Sequence, residues 1–152
     1  MTTVFYISQL PKSSKMLKKD ILNTDLIQGY KERLKPEVLT KMITLYAQQS
    51  SLYFNDIEEA LAALPNTQND SISHLAVNKE EELALIEKYE AWKSACHKMK
   101  GAAASIGLLS VYEFAKEMEH MEGGKDEKIA MFFQLKQSNK DGIEAYLQLL
   151  HR

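Results

Sequence analysis

The sequence predicts an all-α protein: an antiparallel four-helix bundle (up-down-up-down) with one or two short extra N-terminal helices. Three observations predict it. Apolar residues recur at threes and fours along most of the chain, which is the spacing of one helix face. Only six glycines and three prolines occur in 152 residues. No alternating strand pattern bounded by turn residues stands out. Four substantial amphipathic helices joined by short connections bury their faces most simply as a bundle.

The elements follow in order. Met1 to about Lys19 is interrupted by Pro11, and Lys12, Lys15, Lys18 and Lys19 read as a solvated face. Asn23 or Thr24 caps a short helix running through Leu26, Ile27, Tyr30 and Leu34. Pro36 suits the first turn of a long helix, where its missing N–H does no harm. Leu39, Met42, Tyr46, Tyr53, Ile57, Ala60 and Leu64 mark that helix's apolar stripe, and Pro65 ends it. A polar connection runs to Asn78, which with Glu81 three residues on forms a capping-box pattern. The next stripe is Leu85, Tyr89, Trp92, Cys96, Met99, Ala103 and Ile106, with Gly107 as the stop. Another helix carries Leu108, Val111, Phe114 or Ala115, and Met118, and ends near Gly123-Gly124. The last, Asp126 to His151, has Ile129, Phe132, Phe133, Ile143, Leu147 and Leu150 as its apolar set, with a weaker stretch at Gln137 to Gly142 that could hold a bend. Residues 1–22 are expected to be a partly helical N-terminal extension, in which Phe5, Tyr6 and Ile7 cap the bundle, and 23–152 the bundle domain.

Bulk properties exclude several classes. The net charge of −2 marks no nucleic-acid binder. No apolar run approaches the roughly 18 residues of a membrane span, and the Val4-Phe5-Tyr6-Ile7 patch is too short for a secretory signal. A lone cysteine, Cys96, excludes a disulfide framework within the chain. These features point to a cytoplasmic protein, and the absence of an evident spare apolar helix face points to a monomer.

Chemistry concentrates in the run Cys96 to Gly107. On a helix, His97, Lys100, Gly101 and Ala104 share one strip, because residues three, four and seven apart face the same way. The strip offers an imidazole, a cation one turn away and almost no side-chain bulk. His97 stands one step off the Trp92–Cys96–Met99–Ala103 stripe, so it flanks the core. Gly101 in a helix interior costs about 1 kcal/mol relative to alanine, which suggests that backbone access matters there. A free imidazole titrates at about 6.5 and keeps one nitrogen available for attack at neutral pH. A flexible ammonium nearby suits a phosphoryl group, and a small-residue floor lets a partner's acyl phosphate reach in-line distance.

His97-Lys98-Met99-Lys100-Gly101-Ala102-Ala103-Ala104-Ser105-Ile106-Gly107-Leu108 resembles the signature of histidine-containing phosphotransfer (HPt) domains, most of all those at the C-termini of tripartite hybrid sensor kinases of bacterial signalling. The family pattern is His, any residue, an aliphatic residue, Lys, Gly, with a second glycine ten positions after the histidine, here Gly107. The similarity extends more loosely through Asp25-Leu26-Ile27, Leu39 to Ala62, and downstream to Glu119. Cys96 and Met99 depart mildly from the residues common there. The resemblance implies a phosphorelay intermediate without its own ATP site or turnover. His97 would be the phosphorylated residue, Lys100 the phosphoryl-supporting cation, and Gly101 and Ala104 the close-approach and docking surface. Glu119, twenty-two positions after the histidine, would orient the imidazole. Partners would be receiver domains of a hybrid sensor kinase and of a response regulator. The chain would need no cofactor of its own, with Mg bound by the partner receiver.

Other readings weigh less. A helical adaptor that docks a signalling partner through the same face, without chemistry, is the alternative. Glu117-Met118-Glu119-His120 has the Glu-x-x-His spacing of di-iron bundles, but no second copy occurs. Cys96 and His97 point about 100° apart on a helix, so Cys96 reads as a core residue. A histidine-kinase dimerisation domain would place an acidic residue after the histidine and a proline nearby, whereas Lys98 follows and no proline occurs after Pro65.

Overall fold

The computed structural model describes residues 21–66 and 78–151. The proposed cap of Phe5, Tyr6 and Ile7, most of the 1–22 extension, and most of the connection before Asn78 lie outside the described residues. Five helices follow one another: α1 (Thr24–Arg33), α2 (Pro36–Ala63), α3 (Lys79–Ile106), α4 (Leu109–His120) and α5 (Lys125–Leu150). Helices α2 to α5 form the antiparallel bundle, with α2 beside α3, α3 beside α4, α4 beside α5 and α5 back against α2.

Local chemistry sets most boundaries. Asn23 Oδ1 accepts from Leu26 N at 3.2 Å, so Asn23 rather than Thr24 is the cap of α1. Pro36 opens α2, and Lys125 Nζ donates to the carbonyls of Ala62 and Leu64 at its far end. These are orphan acceptors of a helix C-terminus that a cation satisfies well. Asn78 Oδ1 accepts from Glu81 N at 2.9 Å at the start of α3, and three glutamates follow in its first turn, where the helix dipole favours them. Gly107 ends α3 in the left-handed region at φ 96°, and a Cβ there would come within 3.0 Å of Ile27. The turn is thus closed on α1, whose start is tied to it by Asn23 N donating to Gly107 O at 2.8 Å. Tyr30 Oη donates to Ser105 O at 2.6 Å and fastens the same end.

The core gathers Ile43, Ile57, Trp92, Cys96, Met99, Ala103, Leu108, Val111, Ala115, Met118 and Leu135, all with almost no exposure. Side chains of this size each contribute roughly 1.5–3 kcal/mol on burial. Two polar elements lie inside. Tyr46 Oη donates to Asn139 Oδ1 at 2.6 Å while Asn139 Nδ2 donates to Ser50 Oγ at 3.1 Å, linking α2 to α5. Lys128 is 1% exposed, with its ammonium donating to Gly123 O at 2.5 Å and lying about 6 Å from the Tyr89 and Trp92 ring centres.

Four expectations are corrected. Helix α4 stops at His120, short of the glycine pair, because Met121 is already extended (φ −75°, ψ 141°). Helix α5 runs unbroken through Gln137 to Gly142, and its buried face is Lys128, Met131, Phe132, Leu135, Asn139, Gly142 and Tyr146. Ile129 and Phe133, expected inside, are 46% and 69% exposed, because Lys128 and Asn139, with partners inside, share the buried face with Phe132 and Leu135. The expected lack of a spare apolar face is also wrong: Val38, Leu45 and Leu52 recur every seventh residue on the outside of α2.

Candidate functional site

The fold brings His97, Lys100 and Glu119 together. Helix α3 carries the first two on adjacent turns, and the Gly107 turn folds α4 back so that Glu119 lies opposite them. One Glu119 oxygen, Oε2, lies 3.2 Å from His97 Nδ1. The other, Oε1, lies 2.7 Å from Lys100 Nζ. The carboxylate therefore bridges the imidazole and the ammonium.

Exposure differs sharply among the three. The His97 side chain is 66% exposed, whereas those of Lys100 and Glu119 are 19% and 15%. Burial pushes the Glu119 carboxyl up, but hydrogen bonding and charge from Lys100, joined by those from His97, outweigh it and hold the group below its usual range. An ionised carboxylate only accepts hydrogen bonds, so the Nδ1 contact calls for a proton on Nδ1. In neutral imidazole that assignment leaves the Nε2 lone pair free. A half-sheltered anion, an imidazole held by one nitrogen and an open second nitrogen together make a nucleophile presented to something outside the protein.

The surroundings are small. Gly101, Ala104 and Ser105 are exposed on α3, and a Cβ added at Gly101 would meet nothing within 4 Å. Nothing among the described residues therefore requires a glycine there. Beside the strip, Met42, Leu45, Gln49 and Leu52 of α2 and Ala102 and Ser105 of α3 line an open groove of about 640 Å³. Leu45 and Leu52 are 54% and 55% exposed. Sequence reasoning missed this apolar rim because it takes no part in the α2 core stripe; its own signal is the seven-residue recurrence of Val38, Leu45 and Leu52.

The other sequence candidates separate from this site. Cys96 is fully buried, and burial first, then the Glu119 charge, against a smaller opposing effect of Lys128, push its thiol up to about 12. It is a core residue. Glu117 and His120 stand near Glu119 in sequence, but among the described residues no group of three His, Cys, Asp or Glu side chains is arranged to hold a metal ion. No helix among them is long and apolar enough to cross a membrane.

Comparison with known proteins gives one result. A family model described as the Hpt domain matches residues 41–150, which include all of the residues gathered around His97. No curated protein and no solved structure matches significantly.

Proposed function

Because the chain belongs to the Hpt domain family, we propose that it is a phosphorelay intermediate that takes a phosphoryl group onto His97 from a receiver-domain aspartate and passes it to a second receiver. The observation that carries this reading is the split environment of one ring: Nδ1 held 3.2 Å from Glu119 and the rest of a side chain that is 66% exposed.

In the forward step Nε2 attacks the phosphorus of the aspartyl phosphate. The N–P bond forms as the P–O bond to the aspartate breaks, and the aspartate carboxylate leaves as an anion. The positive charge that develops on the ring is stabilised by Glu119 across the Nδ1 contact. Passing the group on is the same step in reverse, to a second aspartate. The chain supplies no metal for either step; Mg²⁺ bound by the receiver serves the acyl phosphate.

Lys100 has two tasks in sequence. Before transfer its ammonium sits on Glu119 Oε1 and favours the ionised carboxylate. After transfer its flexible stem allows it to share the new phosphoryl charge. The receiver docks over Gly101, Ala104 and the Leu45–Leu52 rim, where the lack of bulk lets the two reacting atoms approach. The protein works in the cytoplasm as a carrier without turnover of its own.

Incubation with receivers carrying labelled aspartyl phosphate tests the reading. Wild-type protein should acquire label, and His97→Gln should not. Equal labelling of both would refute His97 as the acceptor, and labelling of neither while a receiver still binds the groove would leave a docking adaptor in place of a carrier.

A further inference from the structure

We propose that Trp92 is a positioning residue, which holds the His97 imidazole in its reactive tautomer by fixing the backbone that carries Glu119. The inference deepens the phosphotransfer reading and rests on it for its meaning.

Helix α4 is the shortest element of the bundle. It has 12 residues against 26 to 28 in the other three, and Leu108 gives it no side-chain cap. Its C-terminus passes directly into extended chain at Met121, without a left-handed residue to satisfy its last carbonyls. Yet the final turn must place the Glu119 carboxylate against two groups on α3 at once. The Met118 carbonyl, one residue before Glu119, accepts from Trp92 Nε1 at 3.1 Å. Trp92 is 1% exposed and Met118 fully buried, so this bond is made in the core.

Trp92 stands on α3, five residues before His97. The helix that carries the imidazole therefore grips the turn that carries its orienting carboxylate. A buried carbonyl that loses its only strong donor is costly, and the last turn of α4 relieves that cost by shifting. Glu119 shifts with it, and the 3.2 Å contact to Nδ1 is the one with least distance to spare.

The chain has a single tryptophan, so biosynthetic replacement with benzothienylalanine, in which sulfur takes the place of the indole N–H, alters Trp92 alone. The readout is the ¹⁵N chemical shifts of the His97 ring in the free protein, which need no receiver. The ratio of the Nδ1–H to the Nε2–H tautomer should fall about fivefold, the equivalent of one hydrogen bond, and Trp92→Phe should do the same. Phosphoryl acceptance should slow in both, by no more than that factor. An unchanged tautomer ratio in a folded, replaced protein overturns the proposal. Should both replacements unfold the chain, the wild type decides: its one indole N–H resonance should move when His97 is protonated, and a resonance that stays still overturns the link. Failure of the wild type to accept phosphate would refute phosphotransfer, and the tautomer result would stand apart from it.

Discussion

Replacing Gly101 with alanine separates what this glycine does for the helix from what it does for a visitor. Its φ is not positive, and an added Cβ meets nothing within 4 Å. Alanine is favoured over glycine in a helix interior by about 1 kcal/mol, so Gly101→Ala should stabilise the fold by up to that amount. Urea unfolding should show a higher midpoint at unchanged slope, and the melting temperature should rise by about 2–4 °C. Transfer should move the other way. Reacting atoms must come within about 3–3.5 Å in line, and a misplacement of about 1 Å costs on the order of a hundredfold. A methyl group intrudes slightly; the isobutyl group of Gly101→Leu intrudes well beyond that distance. Rapid-quench transfer from a phosphorylated receiver should therefore rank glycine above alanine and alanine well above leucine, while stability does not fall in that order. Loss of stability in Gly101→Ala, or wild-type transfer by a folded Gly101→Leu, would refute the close-approach argument.

Lys100→Ala should keep the helical circular dichroism of the wild type, share the loss of stability of Glu119→Gln at pH 7 because it breaks the same pair, and slow transfer at least tenfold, in line with the loss of one charged donor at a site of developing charge (roughly 10²–10³ at the upper end); unchanged rates would contradict its role. Glu119 has a folded pKa below its unfolded one, so its stabilising effect is full above the ordinary carboxylate range and is lost as pH falls through the folded value. Glu119→Gln should therefore be less stable than wild type at pH 7, with the gap closing below about pH 4 in denaturation series; a gap that persists in acid would contradict the ion-pair assignment. Cys96, with its thiol pushed up to about 12 by burial, should resist iodoacetamide in the native protein at pH 8 and react only in urea. Native alkylation, read by mass spectrometry, would show that the core around it opens.

Much of the fold was legible because its punctuation is local. Pro36, Asn78 with Glu81, and Gly107 each act within one turn of their own position, and each stands where its chemistry predicts. The face of α5 was not legible. Nothing in the local sequence marks an amine and a carboxamide there for burial, but Lys128 finds aromatic rings from α3, and Asn139 finds Tyr46 and Ser50 some ninety residues earlier. Once those groups lie inside, Ile129 and Phe133 must lie outside.

The site divides in the same way. His97, Lys100 and Gly101 sit on one helix, so spacing alone brings them together. Glu119 entered through resemblance to a family, since nothing in its own neighbourhood marks it. The resting position of the Lys100 ammonium, on Glu119, depends on two helices at once and left no trace in the local sequence. Trp92 read only as a core residue, because its partner is a backbone carbonyl and any residue at position 118 would supply one.

The central claim is chemical: one nitrogen of one ring is held and the other is offered. Combined ¹⁵N and ³¹P spectroscopy of the protein after exposure to a phosphorylated receiver tests it most directly. The account predicts phosphorus bonded to Nε2 of His97, with Nδ1 still protonated towards Glu119, and a linkage that survives base and is lost in acid. Phosphorus on Nδ1, or on any other residue, would contradict it.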